Sequence, residues 1–355
     1  MHAPSSLQVA SSEPDAAAQV RVAVVGLGYW GPNLVRNLHE LPAAEIAQVC
    51  DRLPDALTAI ERRYPGVRTA VDVADVLADP AVEAVAIATP VATHFELALA
   101  ALEAGKHVFV EKPLAASSEQ AVALADMARE RALVLMPGHT FLYSPPVNLI
   151  RTMIERGDLG EIYFISTSRV NLGIHQSDVS VVWDLAPHDF SILRYWLGET
   201  PTSVAAMSRS CIIPEIADVA FVNLAFPSGA VAHVEMSWLA PSKLRRTAIV
   251  GSEKMVVYDD TSNEPVRVFD SGVVPRDPET FGEYRLTYRT GDIVSPPVSP
   301  VEPLALELND FCAAVRTGAA PRSSAALGVD VVRMIEAVDR SLAASGAPVT
   351  LDGDR

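Results

Sequence analysis

Gly26-Leu27-Gly28-Tyr29-Trp30-Gly31, entered directly from the apolar run Val22-Ala23-Val24-Val25, decides how this chain folds. The run has the β-branched character of a strand, and a helical stretch, Asn33–Leu38, follows the last glycine. A strand turning this sharply into a helix uses Gly26 for the tight turn, Gly28 to let the backbone approach a pyrophosphate, and Gly31 to pack helix on strand. The helix N-terminus then faces the phosphates with unpaired N–H groups and a partial positive charge. Asp51 ends a second strand, Ile46–Cys50, twenty residues beyond Gly31. A carboxylate there accepts the hydroxyls of the adenosine ribose and repels a 2′-phosphate, so the expected cofactor is NAD over NADP. The adjacent Arg52 has two readings: a contact to adenine or to a 2′-phosphate, and a solvated loop cation.

Outward from this turn, short apolar runs alternate with helical patterns as far as His139, as a parallel sheet with crossover helices requires. Strands are expected at Arg21–Val25, Glu45–Cys50, Ala84–Ala88, His107–Val110 and Leu133–Pro137. Ser117-Ser118-Glu119-Gln120 opens the last intervening helix as a capping box, with Ser117 and Gln120 satisfying each other's backbone donors. After Tyr143-Ser144-Pro145-Pro146 the pattern changes. Strands at Glu161–Val170, Ser203–Arg209, Asp218–Phe226, Ala230–Trp238, Arg246–Val250 and Lys254–Asp259 include two pairs joined by turns, Pro227-Ser228-Gly229 and Gly251-Ser252-Glu253. Hairpins imply an antiparallel sheet. Asp218–Phe226 lacks a clean polar alternation, which predicts cover on both faces, by helices and by a second subunit. The fold class is therefore α/β, an N-terminal Rossmann dinucleotide-binding domain plus a C-terminal α+β domain with an open, mainly antiparallel sheet. The expected divisions are a flexible tail over 1–19, the NAD-binding domain over 20–139, a substrate-binding and oligomerisation domain over 140–302, and helices over 303–355 packing back on the first domain.

Composition sets outer limits on function. A chain of 355 residues that is 49% hydrophobic has ample apolar surface for two cores. A formal net charge of -16 argues against nucleic acid and acidic membranes as partners. The three cysteines, Cys50, Cys211 and Cys312, form no CxxC pair and lack zinc-like spacing to histidine, so no metal is expected. No apolar run reaches bilayer length, and Met1–Gln19 lacks a basic segment followed by a hydrophobic one, which predicts a cytoplasmic protein.

Two further segments carry chemistry: Glu111-Lys112-Pro113, just after a strand, and Asp184-Leu185-Ala186-Pro187-His188-Asp189, leading into a helix that ends near Leu197-Gly198. Together with the glycine turn, and with Ala88-Thr89-Pro90 and His94 after the fourth strand, they resemble the Gfo/Idh/MocA oxidoreductase family over nearly everything from Val20 onward. The resemblance implies that Lys112 hydrogen-bonds the reacting hydroxyl, that His188 is the acid or base, and that Asp184 contributes to the substrate site. It places Thr89, Pro90, His94 and Glu111 with Tyr29 and Trp30 around the cofactor. Members often carry an acidic residue three positions after the histidine, where this chain has Ser191, which leaves Asp189 and Ser191 without an assigned role.

Residue chemistry points the same way. Oxidising a secondary alcohol needs a base for the O–H proton, and an imidazole titrating near neutrality provides one. With Asp184 as the helix cap, Pro187 falls in the first turn, where its missing N–H is harmless, and His188 lies one turn from the carboxylate and able to couple to it. Lys112 can donate to a developing alkoxide. His94 and His139 read equally as structural or site residues, and Trp30 as packing under the cofactor or within the helix. Arg169-Val170-Asn171-Leu172-Gly173 and Tyr288-Arg289-Thr290-Gly291-Asp292 resemble the branch acting on nucleotide-activated sugars at the 3-hydroxyl. Arg169, Asn171, Tyr288 and Arg289 are the expected substrate contacts, the arginines and the asparagine as donors to a diphosphate and sugar hydroxyls. The alternatives are a dehydrogenase of free sugars or inositol, and a non-redox NAD protein such as a sensor or glycosidase. A homodimer or homotetramer through the C-terminal sheet is expected.

Overall fold

The computed structural model describes residues 19–351, apart from 174, 176–178 and 277–284. The expected tail therefore lies outside the described residues except for Gln19. Six parallel strands, β1 (Val20–Val25), β2 (Ala44–Cys50), β3 (Thr69–Ala70), β4 (Ala84–Ile87), β5 (His107–Glu111) and β6 (Leu135–Gly138), form a sheet in the order β3-β2-β1-β4-β5-β6. Helices α1 (Gly31–Glu40), α2 (Pro54–Arg63), α3 (Val73–Ala78), α4 (His94–Glu103) and α5 (Ser118–Glu130) connect them. Val22 and Val24 enter one core and Ala23 and Val25 the other, so β1 is apolar throughout because both its faces are covered. The strand order reverses between β1 and β4, which opens a crevice at their carboxyl ends. The capping box forms by half: Gln120 N–H donates to Ser117 Oγ at 3.2 Å, while Gln120 Oε1 is buried without a partner among the described residues.

The second half begins with a helix that the sequence reading missed, α6 (Pro145–Glu155). Pro145-Pro146 marks a break from the preceding pattern, yet proline is well placed in a first helical turn, where no N–H is needed. There follow β7 (Ile162–Leu172), α7 (Val181–Leu197), β8 (Ser203–Arg209), β9 (Val219–Ala225), β10 (Val231–Ser237), β11 (Leu239–Gly251), β12 (Met255–Asp259), β13 (Val266–Arg276), β14 (Arg285–Val294), α8 (Pro303–Thr317), α9 (Ala325–Ala343) and β15 (Val349–Thr350). The strands form one nine-stranded sheet, β14-β13-β12-β11-β7-β10-β9-β8-β15, antiparallel except where β7 meets β10. Both expected hairpins are present, joining β9 to β10 and β11 to β12.

Two expectations gain detail. Along β9, Ala220, Val222 and Leu224 are buried while Phe221 and Asn223 are exposed, so burial alternates cleanly in the single chain. The composition hid this because an outward position is occupied by Phe221. The C-terminal segment also does more than pack on the first domain. Helix α8 does so, with Phe311 edge-on to Phe109 at 5.8 Å. Helix α9 lies between α5 of the first half and α7 and β8 of the second, and β15 adds a strand to the second sheet. Ser118 donates to Glu336 of α9 from one side, and Trp183 and Arg194 donate to Asp339 and Asp330 at 2.8 Å from the other.

Candidate active site

The turn between β1 and α1 is built as its glycines suggest. Gly26 has φ +93°, and a Cβ there would lie 2.7 Å from the Ala88 carbonyl oxygen. A Cβ on Gly31 would lie 2.0 Å from the carbonyl oxygen of Gly26, whereas one on Gly28 would meet nothing within 4 Å. Two of the three positions are thus closed by protein and the middle one is open on the crevice side. Asp51 is fastened beside it: Oδ2 accepts from Leu27 N–H at 2.6 Å and Oδ1 from Leu53 N–H at 2.8 Å. Each oxygen keeps a second lone pair for a ribose hydroxyl. Tyr29 is 88% exposed and Arg52 is exposed as well. These groups, with the N-terminus of α1, fit a dinucleotide.

His94 is fully enclosed, with Nδ1 2.9 Å from the Pro113 carbonyl and Nε2 2.9 Å from that of Thr89. It therefore ties the loop after β4, which carries Thr89 and the exposed Pro90, to the loop carrying Lys112. Glu111 ends β5, and one of its oxygens is buried without a partner among the described residues; the Trp30 indole faces this carboxyl. Burial pushes the Glu111 carboxyl up to about 7, with the Lys112 cation opposing. Glu307 of α8, which sequence reading did not single out, is another enclosed carboxyl. Burial and then the Glu111 charge raise it well above the usual range, and it accepts from Thr140 at 2.7 Å.

Lys112 reaches across to α7. Its Nζ donates to the Asp184 carbonyl at 2.8 Å and to Asp184 Oδ1 at 3.1 Å, and Trp238 Nε1 donates to Asp184 Oδ2 at 3.1 Å. Asp184 does not cap the helix. Helix α7 starts at Val181, with Ser180 at the N-cap, because Val181 and Val182 are themselves buried. Pro187 thus stands inside the helix, not in its first turn. Nor does the Asp184 carboxylate pair with His188. One turn further on, His188 presents its imidazole edge-on to Phe141, at 5.0 Å, with Nδ1 buried and unpartnered among the described residues. Burial, followed by the charges of Lys112 and Arg169, holds this imidazole well below its usual value and therefore neutral. His139 is buried nearby and is lowered to about 3, by burial and then by Lys112.

The expected substrate contacts divide. Arg169 is 5% exposed and makes a bidentate pair with Asp189, Nε to Oδ2 at 2.7 Å and Nη2 to Oδ1 at 3.1 Å. It is a buried structural cation, not an open diphosphate donor, and Asp189 is its counter-charge. Ser191 Oγ donates to the His188 carbonyl at 2.9 Å. Asn171 is half-buried near the carboxyl end of β7. Arg289 and the exposed Tyr288 lie on β14 at the sheet edge, where Arg289 bonds to Asp270 and to the Glu253 carbonyl. None of their contacts among the described residues reaches Lys112 or His188, because three strands separate β14 from β7. In their place stand Phe141, Trp238 and Arg245. Single aromatic or basic residues carry no sequence signal that tells a site residue from a core or surface one.

Residues 20–139 match the family model described as "Oxidoreductase family, NAD-binding Rossmann fold", and residues 147–257 match the GFO/IDH/MocA C-terminal domain. The chain is 30% identical to scyllo-inositol 2-dehydrogenase (NAD(+)) of Bacillus subtilis, over 71% of this chain and 78% of that protein. It is 28% identical to UDP-N-acetylglucosamine 3-dehydrogenase of Acidithiobacillus ferrooxidans, over 69% and 75%. The crystal structure of GenD2 from gentamicin A biosynthesis, in complex with NAD, superposes with a TM-score of 0.80 at 26% identity, covering 94% of this chain and 97% of that one.

Proposed function

The chain belongs to the Gfo/Idh/MocA oxidoreductase family, and from that premise we propose that it oxidises a secondary hydroxyl, at C3, of a nucleotide-activated sugar to a keto sugar, or runs the reverse. The observation that carries the dehydrogenase reading is the convergence of Lys112, held by Asp184, and a neutral His188 at the carboxyl ends of the parallel strands. Lys112 donates to the substrate oxygen and favours its alkoxide in a dry site. His188, uncharged because it is buried and because Lys112 lies near, is in the form that accepts the hydroxyl proton. When bound, NAD supplies the two-electron acceptor, held by the Gly26–Gly31 turn and Asp51. Thr89, Pro90, His94 and Glu111 shape the neighbouring loops, and Asn171, half-buried near the carboxyl end of β7, is assigned as a donor to a sugar hydroxyl.

The nucleotide-sugar reading draws support from the likeness to the Acidithiobacillus enzyme and from one half-exposed guanidinium, Arg245, beside the site. A second reading, oxidation of inositol or a free sugar, is favoured by the commitment of Arg169 and Arg289 to carboxylates and by the likeness to the Bacillus enzyme. Incubation with NAD, with and without 2-oxoglutarate, against nucleotide sugars and free polyols, with products identified by mass spectrometry, separates the two. Oxidation of free polyols alone would sink the first. The outward face of the second sheet exposes Phe164, Phe221 and Val231, which supports a homodimer or homotetramer formed there in a cytoplasmic enzyme. Light scattering that gives the monomer mass would refute this.

A further inference from the structure

Strand β11 leaves its ladder beside the site. It pairs Leu239 with Leu172 and resumes at Leu244 with Val170, so residues 240–243 bulge out at the carboxyl end of β7. Bulges of this kind re-aim side chains near active sites. Immediately after the bulge, Arg245 stands directly across from Arg169 in the resumed register. Both guanidiniums lie over Phe141, Arg169 at 4.7 Å and Arg245 at 6.0 Å from the ring centroid, and the same ring meets His188 edge-on. The Arg245 charge is also one of those that keep His188 neutral.

The two arginines differ in what they have left to offer. Arg169 is enclosed and bidentate to Asp189. The Arg245 side chain is 32% exposed and bonds Asp260 through Nη1 alone, at 3.2 Å; its Nε and Nη2 have no hydrogen-bond partner among the described residues. An arginine with an unused edge, half in water and beside the reacting groups, is matched to the paired oxygens of a phosphate or carboxylate. Lys243, exposed on the bulge, adds a second cation at the rim.

We propose that Arg245 is a specificity-determining residue, receiving an anionic substituent of the substrate, phosphate or carboxylate, through Nε and Nη2. The inference rests on the dehydrogenase reading and narrows its substrate to an anionic one. Calorimetric titration of NAD-saturated protein with UDP and, separately, with glucuronate tests it and tells the two anions apart. Arg245→Met is expected to weaken binding of whichever anion binds by about tenfold or more, and Arg245→Lys to restore part of a phosphate contact but less of a carboxylate one. Should the methionine variant fail to fold, Asp260→Asn, which releases Nη1, is expected to tighten binding instead. Equal affinity in wild type and a folded Arg245→Met, or no binding of either anion by the wild type, overturns the proposal. Reduction of NAD by any member of the nucleotide-sugar and polyol panel, lost in Lys112→Ala, tests the dehydrogenase reading separately, since it does not depend on which substrate binds or on Arg245.

Discussion

Asp189 shows how a residue takes its meaning from its partner. It stands next to His188 in sequence, yet its work is to neutralise Arg169 in the core between β7 and α7, where Thr167 also donates to it at 3.2 Å. Removing one member of a buried ion pair strands the other, so Asp189→Ala should lower unfolding free energy by about 3–5 kcal/mol, measured in urea. A loss under 1 kcal/mol would mean that Arg169 is not held as described. Lys112→Ala should abolish turnover while NAD still binds, read by fluorescence titration; retained turnover removes its role. Because His188 is held below the usual imidazole value of 6.5, the acid limb it gives to kcat/KM should lie below that pH and vanish in His188→Asn. His139 makes a stability prediction. The unfolded chain takes up a proton on this group below 6.5, whereas the folded one does so only near 3. Stability should therefore fall as pH drops through that window, by about 1.4 kcal/mol per pH unit from this group. His139→Gln should show a shallower decline of melting temperature with acidification.

At the scale of elements, the turn from β1 to α1 separates packing from binding. A methyl group on Gly31 collides with backbone, whereas one on Gly28 meets no protein atom. Gly31→Ala should therefore destabilise the first domain, while Gly28→Ala should leave the melting temperature nearly unchanged and weaken NAD binding. Equal effects of the two substitutions on stability would contradict the assignment. This element was readable in the sequence because three glycines, a β-branched run and a spaced aspartate all constrain the same few residues. Helix α7 was readable only in part. Its i and i+4 spacing of Asp184 and His188 holds, but its start moved to Val181 because burial of an apolar first turn outweighed the capping preference of an aspartate. Helix α6 was missed for a related reason: a double proline looks the same before a helix as in a loop.

For the whole molecule, α9 is the decisive element, since it lies between the two halves and is bonded to both through Glu336, Asp330 and Asp339. Unfolding followed by tryptophan fluorescence and by far-UV circular dichroism should therefore coincide in a single transition; two resolved transitions would show that the halves fold independently. Among the described residues no helix is long and apolar enough to cross a membrane. What the amino-acid order determined unaided was written in short-range pattern: the parallel sheet, the nucleotide turn and the hairpins. Periodicity and turn chemistry act over a few residues, so they survive in a linear reading. Tertiary structure alone decided which cations stay available. Arg169, Arg245 and Arg289 have the same side chain, and only folding brought Asp189, Asp260 and Asp270 against them at different depths. Charge pairing depends on distance through space, which strand order and helix packing set and which residue spacing along the chain does not record.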